Sequence, residues 1–308
     1  MDHNPDVDPS YLKLLAAKRQ VADQIQHDPR LRQHRPLMLD CGEQLTSLYQ
    51  KPDSPRHRFF CQKRFCPVCQ LRKQHRWKHK VLDWLPAIEN QYPKAKWLFL
   101  TLTVRNPPIG EVKQMLTEHM QPAFDRLKER KFWKNSVHGY LRFTEVVPDK
   151  EHPDYANPHY HMLLLVRPSM FEGVNSLKQS DWQNVWGECL GQLDTPEAHC
   201  KRVHVKPYQP LAKDLSNLVC YCTKSLHQEH EPEGDWLRER IHQLRGVQMV
   251  TAGGAFWHVS RQLVQEEAQQ AAEETLPQLT DDHEPYIDED GILCLDVTCP
   301  PGCTLHAH

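Results

Sequence analysis

The chain opens on polar residues and reaches its first periodic stretch after Asp8-Pro9, a helix-capping residue followed by Pro at the first helical position. Leu12, Leu15 and Ala16 then recur at helical spacing, which predicts an amphipathic helix over 9–27. Residues 28–60 are rich in Pro and Arg and read as irregular. Trp77, Val81, Trp84 and Leu85 form one apolar stripe on a helix from about Gln70 to Leu85. Near Pro93 the texture changes. Lys96 to Val104 is β-branched and aromatic and ends at Asn106-Pro107-Pro108, the signature of a strand. A helix follows from about Gly110 to Arg130, with Val112, Met115, Leu116, Met120, Phe124 and Leu127 inward. Gly139 to Val147 and Pro158 to Val166 read as two more strands. Ser180 is the expected cap of a short helix carrying Trp182 and Trp186. Lys201 to Lys206 reads as a strand, Pro210 opens a helix to about Leu226, and Gln248 to Val259 is expected to return to the sheet. The pattern is that of an α+β protein, a sheet with helices, and contains no internal repeat.

Composition sharpens this picture. The 308 residues are 39% hydrophobic and 25% charged, enough for a sizeable core. The longest purely apolar run, Met162 to Val166, falls far short of the ~20 residues of a membrane span. The first residues lack the basic and apolar regions of a signal peptide, so a cytoplasmic protein with no membrane partner is expected. The net charge of −2 conceals a split: residues 266–308 hold eleven acidic residues and no Lys or Arg, leaving +9 on residues 1–265. A basic body points to a polyanion such as nucleic acid. The expected organisation is an N-terminal helix (1–35), a zinc-binding basic module (36–90), a catalytic domain (91–265) and a weakly ordered acidic tail (266–308).

Three constellations carry candidate chemistry. Cys41, Cys61, Cys66 and Cys69 have the spacing C-x19-C-x4-C-x2-C. Four thiolates at tetrahedral positions suit structural Zn²⁺ and leave no open coordination site; the alternative is a set of buried core cysteines. Between Ser54 and Lys80 stand nine Lys or Arg and no acid, interleaved with Phe59, Phe60, Phe65 and Trp77. Arg58, Lys63, Arg64, Arg72, Lys73 and Arg76 are therefore candidate phosphate contacts. Second, His159 and His161 share one face of a strand, and Glu145 on the preceding strand is a third ligand for a divalent metal. The competing reading of Glu145 is a surface residue paired with Arg142 or a Lys. Third, Asp214, Asn217, Tyr221 and Lys224 fall on one polar stripe of a helix, beside Leu215, Leu218, Val219, Cys222 and Leu226. Tyr221 is a candidate nucleophile, against the plainer reading of a boundary tyrosine. In the tail, Cys294, Cys299, Cys303, His306 and His308 offer a second metal site, but Pro300-Pro301 and the acidic run favour incidental cysteines.

The order of these parts resembles that of the replication initiator (Rep) proteins of small rolling-circle plasmids, members of the HUH endonuclease superfamily. The stretches that carry the resemblance span residues 36–260: Cys61-Gln-Lys-Arg-Phe-Cys-Pro-Val-Cys69, Phe99-Leu-Thr-Leu-Thr-Val104, Gly139-Tyr-Leu-Arg-Phe-Thr-Glu-Val146, Pro158-His-Tyr-His-Met-Leu163 and Tyr221-Cys-Thr-Lys224. Two departures stand out. The family often has His where this chain has Asn157, and many members place Glu four residues before the tyrosine, where this chain has Asn217.

The resemblance implies a central antiparallel sheet flanked by helices. It implies that His159, His161 and Glu145 bind catalytic Mg²⁺ or Mn²⁺, and that Tyr221 attacks a phosphodiester of origin DNA in single-stranded or hairpin form. A 5′-phosphotyrosine and a free 3′-OH would result, with Lys224 offsetting phosphate charge. Asp214 becomes a distant candidate base for the closing step, and the alternative is Tyr221 of a second protomer in a dimer. A host helicase and polymerase are the implied partners. Rival readings are an HUH transposase or relaxase, a non-enzymatic zinc-containing DNA-binding regulator, and a zinc hydrolase using His159 and His161; the last two need no tyrosine.

Overall fold

The computed structural model describes residues 9–42, 60–171, 177–191, 198–202, 211–222, 234–273, 285–287 and 293–295. The chain divides into two compact units, Met1–Lys73 with Gln262–His308, and Gln74–Arg261.

In the first unit, α1 (Pro9–Ile25) and the short α2 (Arg35–Leu39) pack together around Val21, Ala22, Ile25 and Met38. The inward face of α1 continues from the half-buried Leu14 and Leu15. Ala16 is exposed, whereas Lys18 is fully buried, its ammonium donating to the carbonyls of Leu39 at 2.7 Å and Cys41 at 3.0 Å. Two carbonyl acceptors repay part of the desolvation that a lone buried ammonium would suffer. Residues 28–60, expected to be irregular, contain α2 because Pro36 sits in its first turn, where a missing N–H costs nothing.

α3 (Pro67–Gln91) leaves the cysteine cluster and continues into the second unit. Expected to stop at Leu85, it runs through Pro86, whose ring is exposed, because Ile88 extends the buried stripe of Val81, Trp84 and Leu85. The second unit is built on a five-stranded antiparallel sheet in the order β4-β1-β3-β2-β5. Its strands are β1 (Lys96–Thr103), β2 (Val137–Pro148), β3 (Ala156–Val166), β4 (Ala198–Arg202) and β5 (Val250–Gly254). The strand expected at Lys201–Lys206 thus lies earlier, and residues 203–210 are outside the described residues.

Strand alternation sends Leu98, Leu100, Tyr160, Met162 and Leu164 to one face, where they join Phe124, Trp182 and Trp186 in the main core. The helices behind this core are α4 (Val112–Gln114), α5 (Gln121–Glu129), α6 (Lys131–Ser136), α7 (Gln179–Leu190) and α9 (Asp235–Gln243). The single helix expected over Gly110–Arg130 is interrupted: Met115–Met120 is π-helical. Pro122 stands two residues beyond it, and its ring would clash with the carbonyl of residue 118 in a regular α-helix. Helix α7 begins at Gln179, not after Ser180. The Asp181 carboxylate accepts the backbone N–H of Lys178 at 2.7 Å, which caps the helix two residues earlier.

The other face of the sheet carries Phe99, Thr101, Glu145, His159 and His161. Trp77 and Trp84 of α3, Trp97, Phe143 and Phe256 form an aromatic cluster on this side. Gly254 ends β5 at φ +59°, and an added Cβ there would strike the His138 carbonyl. The chain therefore turns into α10 (Ala255–Glu273), so Ala255–Val259 is helical and not part of the sheet. Phe256 and Val259, one turn apart, are buried, while Trp257 is exposed. α8 (Leu211–Cys222) matches the helix expected after Pro210, and residues 223–233, with Lys224 and Leu226, lie outside the described residues. In the tail, β6 (Pro285–Ile287) pairs with β7 (Leu293–Leu295). Cys299, Cys303, His306, His308 and the Cys294 side chain also lie outside the described residues. Among the described residues no helix is long and apolar enough to cross a membrane.

Candidate active site

Sheet register assembles the first constellation. Glu145 on β2 is the direct cross-strand partner of His159, and Thr101 on β1 is that of His161. Glu145 Oε2 stands 2.8 Å from each imidazole Nε2, and the two Nε2 atoms are 3.0 Å apart. His159 Nδ1 donates to the Asn157 carbonyl at 3.1 Å. A carbonyl only accepts, so the ring proton is on Nδ1 and the Nε2 lone pair points at the carboxylate. His161 Nδ1 meets Thr101 Oγ1 at 3.0 Å, a hydroxyl that orients the ring as either donor or acceptor. Burial raises the Glu145 pKa, and only with protons on both Nε2 atoms would hydrogen bonds from the histidines bring it down to about 2. Burial lowers the His161 pKa despite its Glu145 contact. An anionic oxygen and imidazole lone pairs converging within 3.0 Å repel one another unless a cation lies between them. The edge of an octahedron with bonds of ~2.1 Å is about 3.0 Å, whereas a tetrahedral zinc site with similar bonds has edges of about 3.4 Å. The three donor atoms lie close enough together to hold one metal ion.

Tyr221 joins this group from α8. Its ring lies 5.3 Å from that of His161, edge-on, and 6.4 Å from that of Phe99. Phe99 in turn stacks on His161 at 5.6 Å and 19°. At 56% exposure Tyr221 is open to a ligand while touching the histidine site. Asn217, one turn earlier, is exposed. Asp214 is half-buried; among the described residues its Oδ2 has no partner, and the metal-competent cluster holds Glu145, His159 and His161 but not Asp214. Burial, then the nearby Glu145 charge, raises the Cys222 thiol well above its usual pKa, so this cysteine packs rather than reacts. The carboxylate does not pair with Arg142. Three residues apart on a strand, they face opposite ways: Arg142 lies in the core against Phe124 and Tyr160, donating to Gln121 at 2.7 Å.

In the first unit the four expected cysteines meet. Their sulfurs lie 3.5 Å (Cys41–Cys69), 3.6 Å (Cys41–Cys66) and 3.7 Å (Cys61–Cys69) apart. These separations far exceed the ~2.05 Å of a disulfide. They approach the edge of about 3.8 Å of a zinc tetrathiolate with bonds of ~2.3 Å. Hydrogen bonds among the sulfurs depress the pKa of Cys61 and Cys69 and raise that of Cys41 and Cys66. A cation bound between them would require all four as thiolates.

Of the basic candidates, Arg64 and Arg76 are exposed, and Lys63, Arg72 and Lys73 are half-buried. The Arg72 guanidinium lies 3.5 Å from the centre of the Phe60 ring. Arg58 is outside the described residues. Sequence reasoning missed Thr101, Phe99 and the Asn157 carbonyl as supports of the histidines. A strand's period of two puts Thr101 and Phe99 on one face, but only register reveals which residue they touch.

A family model described as "Replication protein" matches residues 55–291. The chain belongs to the replication protein family. The resemblance to plasmid replication initiators is therefore shown at the level of the family. The replication-protein chain is 32% identical over 188 residues to "Protein rep" of Streptococcus pneumoniae serotype 2 (strain D39 / NCTC 7466), covering 60% of this chain and 57% of that one. It is 27% identical over 218 residues to "Protein rep" of Lactiplantibacillus plantarum, with 68% of each chain covered. A third "Protein rep", from Bacillus sp, is 32% identical over 173 residues, 55% of each chain. The replication-protein chain thus spans from 55% to 68% of the length of these relatives. No solved structure gives a significant match.

Proposed function

We propose that the protein is an HUH-type endonuclease and strand transferase that nicks origin DNA and starts rolling-circle replication of a plasmid. The observation that carries this reading is the approach of the Tyr221 ring to His161, 5.3 Å between centres, beside the Glu145–His159–His161 group. A DNA-binding regulator or a simple hydrolase has no use for an exposed tyrosine at that point. The antiparallel sheet with helices on both faces is compatible with the HUH fold.

Glu145, His159 and His161 would hold Mg²⁺ or Mn²⁺, with Thr101 and the Asn157 carbonyl fixing the two imidazoles. When bound, the ion supplies Lewis-acid polarisation of a phosphate oxygen. The Tyr221 oxygen attacks phosphorus and gives its proton to solvent. The P–O3′ bond breaks, the 3′ oxygen takes up a proton, and the phosphate remains on Tyr221 as a 5′-phosphotyrosine. The freed 3′-OH serves a host polymerase, with a helicase opening the duplex. Lys224 offsets phosphate charge. Cys41, Cys61, Cys66 and Cys69 hold structural Zn²⁺, and Arg58, Lys63, Arg64, Arg72, Lys73 and Arg76 contact the phosphate backbone. For the closing step, Asn217 cannot take a proton, and Asp214 stands outside the metal-competent group. Tyr221 of a second protomer is the favoured nucleophile there. An HUH transposase or relaxase would share this chemistry and differ in its DNA.

The test is incubation of the full chain with single-stranded candidate origin DNA and Mn²⁺, followed by a denaturing gel. A covalent adduct is expected with the wild type and none with Tyr221→Phe, while DNA binding by the variant persists. Cleavage by Tyr221→Phe at the wild-type rate refutes the assignment.

A further inference from the structure

Helix α8 carries Tyr221 to the site, and one side chain from another helix holds α8 beside that residue. Gln74 of α3 donates its amide to the Cys220 carbonyl at 2.7 Å, across 146 residues of sequence. A carbonyl only accepts, so the amide nitrogen is the atom that faces it. Cys220 lies in the last turn of α8, where helix carbonyls turn outward for donors. Three residues along α3, Trp77 packs edge-on against Phe143 at 6.2 Å, and Phe143 is the cross-strand partner of His161. One turn of α3 therefore touches both the strand beside the histidine and the backbone beside the tyrosine. Tyr221 is 56% exposed, so its hydroxyl goes where α8 carries it.

We propose that Gln74 is a positioning residue for the Tyr221 nucleophile, acting through its hydrogen bond to the Cys220 carbonyl. The inference rests on Tyr221 being the nucleophile. Displacements near 1 Å cost about 10²-fold in rate, so a slipped α8 shows in the chemical step and not in ligand binding.

The experiment is single-turnover cleavage of single-stranded origin DNA at saturating protein and Mn²⁺, across a pH series, with each variant's rate divided by the wild-type rate at the same pH. Gln74→Leu cannot donate at any pH and is expected to be roughly tenfold to a hundredfold slower throughout. Gln74→Glu is nearly isosteric. Its carboxylate faces the carbonyl without a donor at pH 8, and its protonated form donates again. Its deficit is expected to match that of Gln74→Leu at pH 8 and to shrink as pH falls through the carboxyl pKa. Mn²⁺ affinity of both variants, and DNA affinity of Gln74→Leu, should stay within about twofold of wild type; the charge that Gln74→Glu adds beside Lys73 weakens DNA binding, which saturating protein removes from the measured rate. A purely packing role would leave the Gln74→Glu deficit independent of pH, and that result overturns the inference. Wild-type rates in both variants, with cleavage still dependent on Tyr221, overturn the inference alone. Cleavage by Tyr221→Phe overturns the underlying reading and the inference with it.

Discussion

Thr101→Val tests whether the histidine pair is a metal platform. The substitution is nearly isosteric and removes one oxygen, the partner of His161 Nδ1 at 3.0 Å. His161 is 4% exposed, so water does not readily replace that hydrogen bond. Leaving a buried polar atom unsatisfied costs about 1–3 kcal/mol. At ~1.4 kcal/mol per factor of ten, that is about 5-fold to 150-fold in the population of the ligand-competent ring. The range agrees with the 10-fold to 100-fold loss of metal affinity typical of mutations behind a histidine ligand. Calorimetric titration of Mn²⁺ into wild type and Thr101→Val should show Kd rising by about tenfold. Cleavage should fall at low Mn²⁺ and return to near the wild-type rate at saturating Mn²⁺, because the ligands themselves remain. An unchanged Kd, with the variant folded by thermal melting, refutes the claim that Thr101 orients a ligand. A rate that stays low at saturating metal would mean that Thr101 acts on the reaction by another route.

Other consequences follow from the same geometry. His159→Ala and His161→Ala should each abolish Mn²⁺-dependent cleavage, while Glu145→Ala should lose less if water takes the vacated position; Mn²⁺ titrations of cleavage check the order. Cys66→Ser should unfold or loosen the first unit and weaken DNA binding, since structural zinc contributes about 10–16 kcal/mol to small metal-folded peptides. Metal analysis of the purified wild type should find one zinc per chain, and a clearly lower content contradicts the tetrathiolate. Gly254→Ala places a Cβ against the His138 carbonyl at φ +59° and should cost roughly 1–3 kcal/mol, read as a lowered melting temperature.

Much of the site was legible in the chain because it rests on local rules. A strand's period of two places His159 and His161 together whatever surrounds them, and the spacing of Cys66-Pro67-Val68-Cys69 lets both sulfurs reach a common point. The polar stripe of Asp214, Asn217 and Tyr221 is likewise a matter of helical period, and α8 lies where Pro210 announced it. The misjudged boundaries lie where a tertiary contact outweighs a local signal. Proline should have ended α3 at Leu85, but burial of Ile88 carries the helix to Gln91. All of Gln248–Val259 was expected in the sheet, but Gly254 is the point where β5 becomes α10.

Tertiary structure alone decided which groups meet. Antiparallel pairing in one register sets Glu145 opposite His159 and Thr101 opposite His161, and a slip of one residue would turn each side chain to the far face. Arg142, three residues from Glu145, was a plausible partner on paper, but strand parity sends it into the opposite core. The contact of Tyr221 with His161 spans 60 residues, and the Gln74 bond to Cys220 spans 146. Spacing and composition carry no record of such distances, because they arise from two helices packing on one face of a sheet. The residue types and their local faces were therefore written in the sequence, and their convergence on one point was settled by the pairing of strands and the docking of helices.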